Sequence, residues 1–307
     1  MNRRLVGIAF VAFISTLNLL GQVKKMPSAD KKMLEAYKIS GKMVTERVIA
    51  EDASNERLLE NTTADDLVVI DGDFDHIHLV LSSLELPFTR IDHDQLAAFD
   101  FKPHQTVFVN CASSFPPAQA KRLAAFVAKG GQLITTDWAL KYVLEVGFPG
   151  YVGGNGRYTI DDVVPIEVID QEDPVLKGFL DEETKPVWWL EGISYPIRVI
   201  NKNKVKILVR SEELKEKYGE EAVLVRFEHG KGVVYHMISH FYLQRTEIKD
   251  VKQEEKAEKY IIVKGGARNK NLLKQAASLS YGQVQSANTS AEFIMRAVIH
   301  HKKTMMN

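Results

Sequence analysis

The chain has 307 residues, with 40 Lys plus Arg against 40 Asp plus Glu, 45% hydrophobic residues and one cysteine. This balance excludes wholesale disorder, which needs low hydrophobicity and high net charge, and it excludes the global basic field of a nucleic-acid-binding protein. The lone thiol, Cys111, excludes an intrachain disulfide and a multi-thiolate zinc site.

Asn2-Arg3-Arg4 precedes an apolar run from Leu5 to Leu20, followed by Gly21 and then Lys24-Lys25. A basic start, an apolar run and a small residue at its end form the pattern of a secretory signal peptide. The run is slightly short for a bilayer span of roughly twenty residues. An uncleaved anchor over residues 5–21 therefore stays open as the second reading, and a buried core helix as the third. Residues 1–22 are expected to be a signal peptide or anchor. The body is expected to be exported, periplasmic or extracellular, with membrane contact only through that anchor.

Residues 23–65 are polar, with Met33, Leu34, Tyr37, Ile39 and Met43 at roughly helical spacing. Pro27-Ser28-Ala29-Asp30 supplies a start, because Ser and Asp side chains accept the free amide protons of a first turn. The expectation is a helical and polar spacer or arm on the body.

The body, 66–307, opens with Leu67-Val68-Val69-Ile70, a continuous apolar run of the kind buried on both faces in a parallel sheet. It ends in Asp71-Gly72-Asp73. A helix over Ile77 to Leu86, a strand at Thr89-Arg90-Ile91 and a strand at Thr106-Val107-Phe108-Val109 follow. Pro116-Pro117 opens a helix that Gly130-Gly131 stops, and Gln132 to Thr136 is the fourth strand. Alternating strands and helices predict an α/β fold with a doubly wound, mostly parallel sheet. Gly147 to Gly156 reads as a loop, and Val163 to Ile169, Val205 to Val209 and Ala222 to Phe227 as strands. His229-Gly230-Lys231-Gly232 reads as a hairpin turn into a strand to Ser239, which places antiparallel strands at the far edge. A Lys-rich insertion covers about 247–282, and Asn288-Thr289-Ser290-Ala291-Glu292 reads as the start of a closing helix.

Phe126-Val127-Ala128-Lys129-Gly130-Gly131-Gln132-Leu133-Ile134 resembles the helix, double glycine and strand of class I glutamine-amidotransferase-like domains. Asp173-Pro174-Val175-Leu176-Lys177-Gly178 and His229-Gly230-Lys231-Gly232-Val233-Val234-Tyr235, ending in Ser239-His240, resemble segments of the trehalose-utilisation (ThuA-like) branch. The resemblance spans roughly Asp66 to Tyr242 and implies a flavodoxin-like fold. Catalytic members of the superfamily place a Cys at a sharp turn after the strand that corresponds to Gln132–Thr136. Here Thr136-Asp137-Trp138-Ala139 stands there, with no thiol and no glycine to ease a tight turn. Cys111 lies one strand earlier, and His240 stands roughly where the triad histidine would be, without the acid two residues on. The resemblance therefore implies that amidotransferase chemistry is absent.

In open α/β sheets ligands bind beyond the carboxyl ends of the strands. Asp71, Asp73, Asn110, Cys111, Trp138, Asp137 and His240 are all predicted there. Asp137 is a candidate general base with His240 as its complement, against the plainer reading that Asp137 caps the next helix and His240 packs on the strand end. Asp71, Asp73, Asn110, Cys111 and Trp138 are candidate ligand-binding residues. Alternate carboxylates in Asp71-Gly72-Asp73-Phe74-Asp75 could chelate a cation, but Asp73 or Asp75 capping the next helix is the plainer reading. Cys111 reads first as a small buried hydrophobe. Trp138, Trp188, Trp189 and Tyr195 read first as packing residues, and second as flat faces for a sugar. Gly153-Gly154-Asn155-Gly156-Arg157 lacks the preceding strand and following Lys of a phosphate loop, so no cofactor is expected. Three functions stay open. The first is an exported binding or scaffold domain for a small molecule, carbohydrate or protein. The second is a sugar-active, hydrolase-type enzyme using Asp137 and His240, with or without a metal. The third is a membrane-anchored component of a complex.

Overall fold

A computed structural model describes residues 28–179, 186–246, 249–264 and 270–306. The apolar run expected to be a signal or anchor lies outside these residues. Among the described residues no helix is long and apolar enough to cross a membrane.

The first two helices are α1 (Ser28–Glu51) and α2 (Ser54–Glu60). Strand β1 (Leu67–Ile70) follows and is buried at all four positions, as its uninterrupted apolar run requires. Then come α3 (Ile77–Ser83), β2 (Thr89–Ile91), α4 (His93–Leu96), β3 (Thr106–Val109), α5 (Pro117–Ala128) and β4 (Gln132–Thr136). A π-helical turn at Leu140–Leu144 runs into α6 (Glu145–Gly147). Strands β5 (Val152–Gly154), β6 (Asp162–Pro165), β7 (Glu167–Val168), β8 (Val187–Leu190), β9 (Ile197–Val199) and β10 (Val205–Arg210) lead to α7 (Glu212–Tyr218). The chain then forms β11 (Ala222–His229), β12 (Gly232–Met237), α8 (Ala257–Val263), α9 (Lys270–Gln275) and α10 (Tyr281–Met306).

The main sheet runs β2-β1-β3-β4-β12-β11-β10-β7, with β9 joining β11 to β5. The first five strands of that order pair in parallel. From the β11–β12 hairpin outward the pairing is antiparallel. The expected α/β class is therefore present, with a parallel half and an antiparallel half. Parallel pairing puts the carboxyl ends of β1, β3, β4 and β12 on one side, and every candidate site residue follows one of those ends.

Several expectations need correction. The segment read as a polar spacer is part of the body. Met33, Ala36, Tyr37, Ile39, Met43, Val44 and Val48 of α1 are buried in the core. Gly41 shows how closely α1 lies on α3, since a Cβ there would sit 1.8 Å from the Ser83 carbonyl oxygen. Fully buried Glu292 of α10 accepts from Arg47 of α1 and from Arg296, and Arg296 also binds Glu51 of α1.

The Lys-rich insertion is likewise docked where described. Ala257, Tyr260, Ile261 and Leu272 are buried while Lys256, Lys259, Lys270 and Lys274 are exposed. The stretch Val163 to Ile169 is two strands, because the chain leaves the β6–β8 ribbon after Pro165 and joins β10 as β7. The expected start of the last helix at Asn288 is its middle. Helix α10 begins after Ser280, whose hydroxyl accepts from the Gln283 amide while the Gln283 side chain accepts from the Ser280 amide. That reciprocal Ser-x-x-Gln pairing is the capping-box signature. The loop at Gly147 to Gly156 contains β5.

Candidate functional site

After β4 the chain turns at Asp137, whose φ of +47° lies in the left-handed region. A residue with a Cβ pays about 1–2 kcal/mol there, and Asp tolerates it better than most. The sharp turn expected to need glycine is thus made by the acid itself. Its amide donates to the Met237 carbonyl at 3.0 Å, and its own carbonyl accepts from the Leu140 amide at 2.9 Å. The turn is tied at both sides.

Cys111 follows β3. Its carbonyl accepts from the Asp73 and Phe74 amides at 2.8 and 3.1 Å, which clamps the exit of β1 against the exit of β3. Gly72 is what allows this approach, because a Cβ there would lie 2.2 Å from the Cys111 carbonyl oxygen. The Cys111 thiol donates to Asp137 Oδ2 at 3.4 Å.

His240 follows β12 and is held from three directions. Ser239 just before it accepts from the Trp188 indole at 2.8 Å and donates to the Trp189 carbonyl at 2.6 Å. Just after it, the Phe241 and Tyr242 amides donate to fully buried Asp75 at 3.4 and 3.3 Å. The Tyr37 hydroxyl of α1 donates to the Phe241 carbonyl at 2.6 Å and accepts from the Leu243 amide at 2.9 Å. Thus placed, His240 Nε2 lies 3.1 Å from Asp137 Oδ2, off the line of a hydrogen bond, and Nδ1 lies 3.9 Å from Glu191 Oε1.

Cys111, Asp137 and His240 are 1%, 3% and 8% exposed. They border a cavity of about 350 Å³ with Phe74, Trp138 and Ile193 as an apolar wall, and with Asp73, Glu191 and Arg245 among its polar lining. Among the described residues Asp137 Oδ1 has no hydrogen-bond partner although it is buried. Trp138 donates its indole N–H to the Ile193 carbonyl at 2.9 Å, which fixes the wall. A larger groove of about 900 Å³ by α2 and the end of α10 is lined by Lys302, Lys303 and Met306 among others, and it gathers no comparable set of buried groups. The chemistry lies in the smaller cavity.

Burial pushes the Cys111 thiol up to about 11, and the Asp137 charge adds to that. For His240, burial disfavours the cation. Asp137, Cys111 and Asp75 outweigh it and hold the imidazole well above its ordinary value. Burial also raises Glu191. The two hydrogen bonds from Ser113 lower Asp73.

Of the seven predicted residues, the cavity gathers Asp73, Cys111, Asp137, Trp138 and His240. Asp71 instead pairs with Arg90 at 2.5 Å. Asn110 accepts from the Ile77 amide at 3.2 Å, and so takes the capping role expected of Asp73 or Asp75. Asp73 turns to Ser113, and Asp75 to the backbone after His240. The three carboxylates of 71–75 therefore point to three places, and the cation site suggested there does not form. Trp188 and Trp189 are buried in β8. Tyr195 packs 6.3 Å from Trp138 behind the wall. Glu191 and Ile193 were missed because β8 and the turn after it carry no clear alternation in the sequence, and Arg245 because the segment after His240 carries no motif.

No family model matches the chain, and no curated protein matches it. Among solved structures, an exo-β-1,4-mannosidase from Opitutaceae bacterium strain TAV5 aligns at TM-score 0.39 and 12% identity, over 56% of this chain and 30% of that chain. The cytoplasmic protein STM3548 from Salmonella typhimurium aligns at TM-score 0.40 and 12% identity, over 58% and 88%. A carbohydrate deacetylase, Agd3, aligns at TM-score 0.40 and 13% identity, over 58% and 29%. The chain spans less than a third of the glycosidase and deacetylase chains it matches.

Proposed function

We propose that this chain is an exported, hydrolase-type enzyme whose reacting centre is the Asp137–His240 pair, acting on a small polar, sugar-bearing molecule. The observation that carries this reading is the buried Asp137 Oδ1, left without a donor in a cavity where an imidazole and a thiol also converge. A buried unpaired carboxylate oxygen costs about 1–3 kcal/mol, which a donor group on a molecule entering the cavity would return, and beside an imidazole the same oxygen is free to take a proton. A few convergent polar groups against an apolar wall are the ordinary form of a small-molecule site. Phe74 and Trp138, edge to face at 5.3 Å, give the cavity an apolar wall against which the C–H face of a sugar ring can pack.

Kinship with the ThuA-like branch, and a flavodoxin-like winding, belong to the same proposal. The parallel order β2-β1-β3-β4-β12 supports it. So does the strained turn after β4, where Asp137 takes the place of the family's thiol. The test is a panel of chromogenic glycosides and acylated sugars offered to the purified chain, Asp137→Asn and His240→Gln. The reading expects turnover by the wild type and a loss of about a hundredfold or more in either variant at an unchanged melting temperature. Binding to members of the panel without turnover would replace it with the binding-domain reading.

A further inference from the structure

Three different donor types meet at the end of the parallel sheet. The Cys111 sulfur, an Asp137 carboxylate oxygen and a His240 ring nitrogen all lie within 4.8 Å of one another, and all three residues are buried. We propose that Cys111, Asp137 and His240 form a mononuclear site for a zinc-class divalent transition metal, open on its fourth side to the cavity. The inference deepens the enzymatic reading, on which it rests only for the use of the site, and it stands or falls separately.

The spacing suits the ion. Tetrahedral zinc with sulfur at about 2.3 Å and nitrogen or oxygen at about 2.0 Å separates its ligand atoms by about 3.3–3.5 Å. The observed separations are 3.4 Å from Cys111 Sγ to Asp137 Oδ2 and 3.1 Å from Asp137 Oδ2 to His240 Nε2. A soft thiolate, a borderline imidazole and a carboxylate together select zinc or its neighbours over magnesium or calcium, which want oxygen alone. Three protein ligands with an open position is the pattern of a catalytic rather than a structural site.

Two further observations point to a ligand. Asp137 Oδ1 and His240 Nε2 are both buried without a hydrogen-bond partner among the described residues, and both residues line the cavity. On the far side of the imidazole, Nδ1 faces the Glu191 carboxylate at 3.9 Å. A carboxylate behind a ligating histidine orients the ring and raises its basicity, and that is the usual outer support of a metal-bound imidazole. The cavity gives the fourth position room for a water or a substrate oxygen.

The test uses the full chain, purified without a histidine tag, stripped with a chelator and titrated with Zn²⁺ by calorimetry and with Co²⁺ by absorption. The proposal expects one equivalent of either ion. Co²⁺ should give a sulfur-to-metal charge-transfer band in the near ultraviolet. Cys111→Ser should lose that band while keeping the metal-free melting temperature, and Glu191→Gln should weaken Zn²⁺ by about 10–100-fold. Wild-type protein that takes up no stoichiometric metal, or a Co²⁺ spectrum unchanged in Cys111→Ser, overturns it. Turnover by a protein that takes up no metal would end the metal proposal and leave the enzymatic reading in place.

Discussion

Glu292 is the residue whose loss should cost the fold most for the fewest atoms changed. It is fully buried and accepts from Arg47, from Arg296 Nε at 3.1 Å and Nη2 at 2.7 Å, and from Asn288 at 3.3 Å. With half-exposed Glu51 the group balances two cations against two anions. Glu292→Gln keeps the shape but leaves Arg47 and Arg296 with one carboxylate between them, at the edge of the protein. Removing one partner from a buried ionic cluster costs about 3–5 kcal/mol, because the remaining charge is left desolvated. The Gly178 turn packed on Glu292 prevents relaxation, since even a Cβ at that glycine would fall 2.5 Å from the Glu292 side chain. Urea unfolding followed by circular dichroism should show the midpoint falling at constant slope. The triple change Glu292→Leu, Arg47→Met, Arg296→Met should recover most of the loss, because it leaves no buried charge without a partner and the remaining carboxylate, Glu51, is exposed enough for water to solvate. A cost below about 1 kcal/mol for Glu292→Gln would refute the claim that α1 is bolted to α10 through this cluster.

His236 and His301 are buried, and burial lowers them to about 3 and about 4. At these two groups the unfolded chain therefore binds more protons than the folded one below about pH 6.5, so their contribution to stability is full above that value and falls as the pH drops toward 4. Each group should contribute about 1.4 kcal/mol per pH unit in that window. His301→Gln should flatten the acid limb of a stability-against-pH curve by that slope, and an unchanged limb would contradict it. Gly72→Ala must part the exits of β1 and β3, so it should cost about 1–3 kcal/mol by thermal melting and should weaken any ligand bound in the cavity. Tyr37→Phe leaves a buried carbonyl and a buried amide after His240 without partners. It should cost about 1–3 kcal/mol in urea unfolding, with ligand affinity in the cavity falling alongside.

Much of this molecule is written plainly in its residues. The apolar run of β1 marks a strand buried on both faces, Thr106 to Val109 reads as the strand β3, and Pro117 and Gly130 bracket α5 as their backbone restrictions dictate. Those elements fixed which chain ends share an edge, and so brought Asp73, Cys111, Asp137, Trp138 and His240 together in advance of any coordinates. The rest depended on long-range partners. Tyr37 looked like one apolar residue on a polar helix, because its hydrogen bonds reach across 204 and 206 positions of sequence. Asn288 and Glu292 imitated a helix start, because nothing local reveals that Arg47, from α1, joins Arg296 in neutralising a carboxylate within the helix. Asp137 in a left-handed turn contradicts local preference, and such contradictions gather at sites where surrounding structure over-determines the backbone.

The central claim is that Asp137 and His240 work as one unit in the cavity at the end of the parallel strands. A double-mutant cycle on kcat/KM tests it most directly, with Asp137→Asn, His240→Gln and the pair assayed on whichever panel substrate the wild type turns over. The account predicts that the double variant is no worse than the poorer single one, as for residues that act together. Losses that simply multiply would contradict it, since they would mean that the two side chains serve the reaction independently.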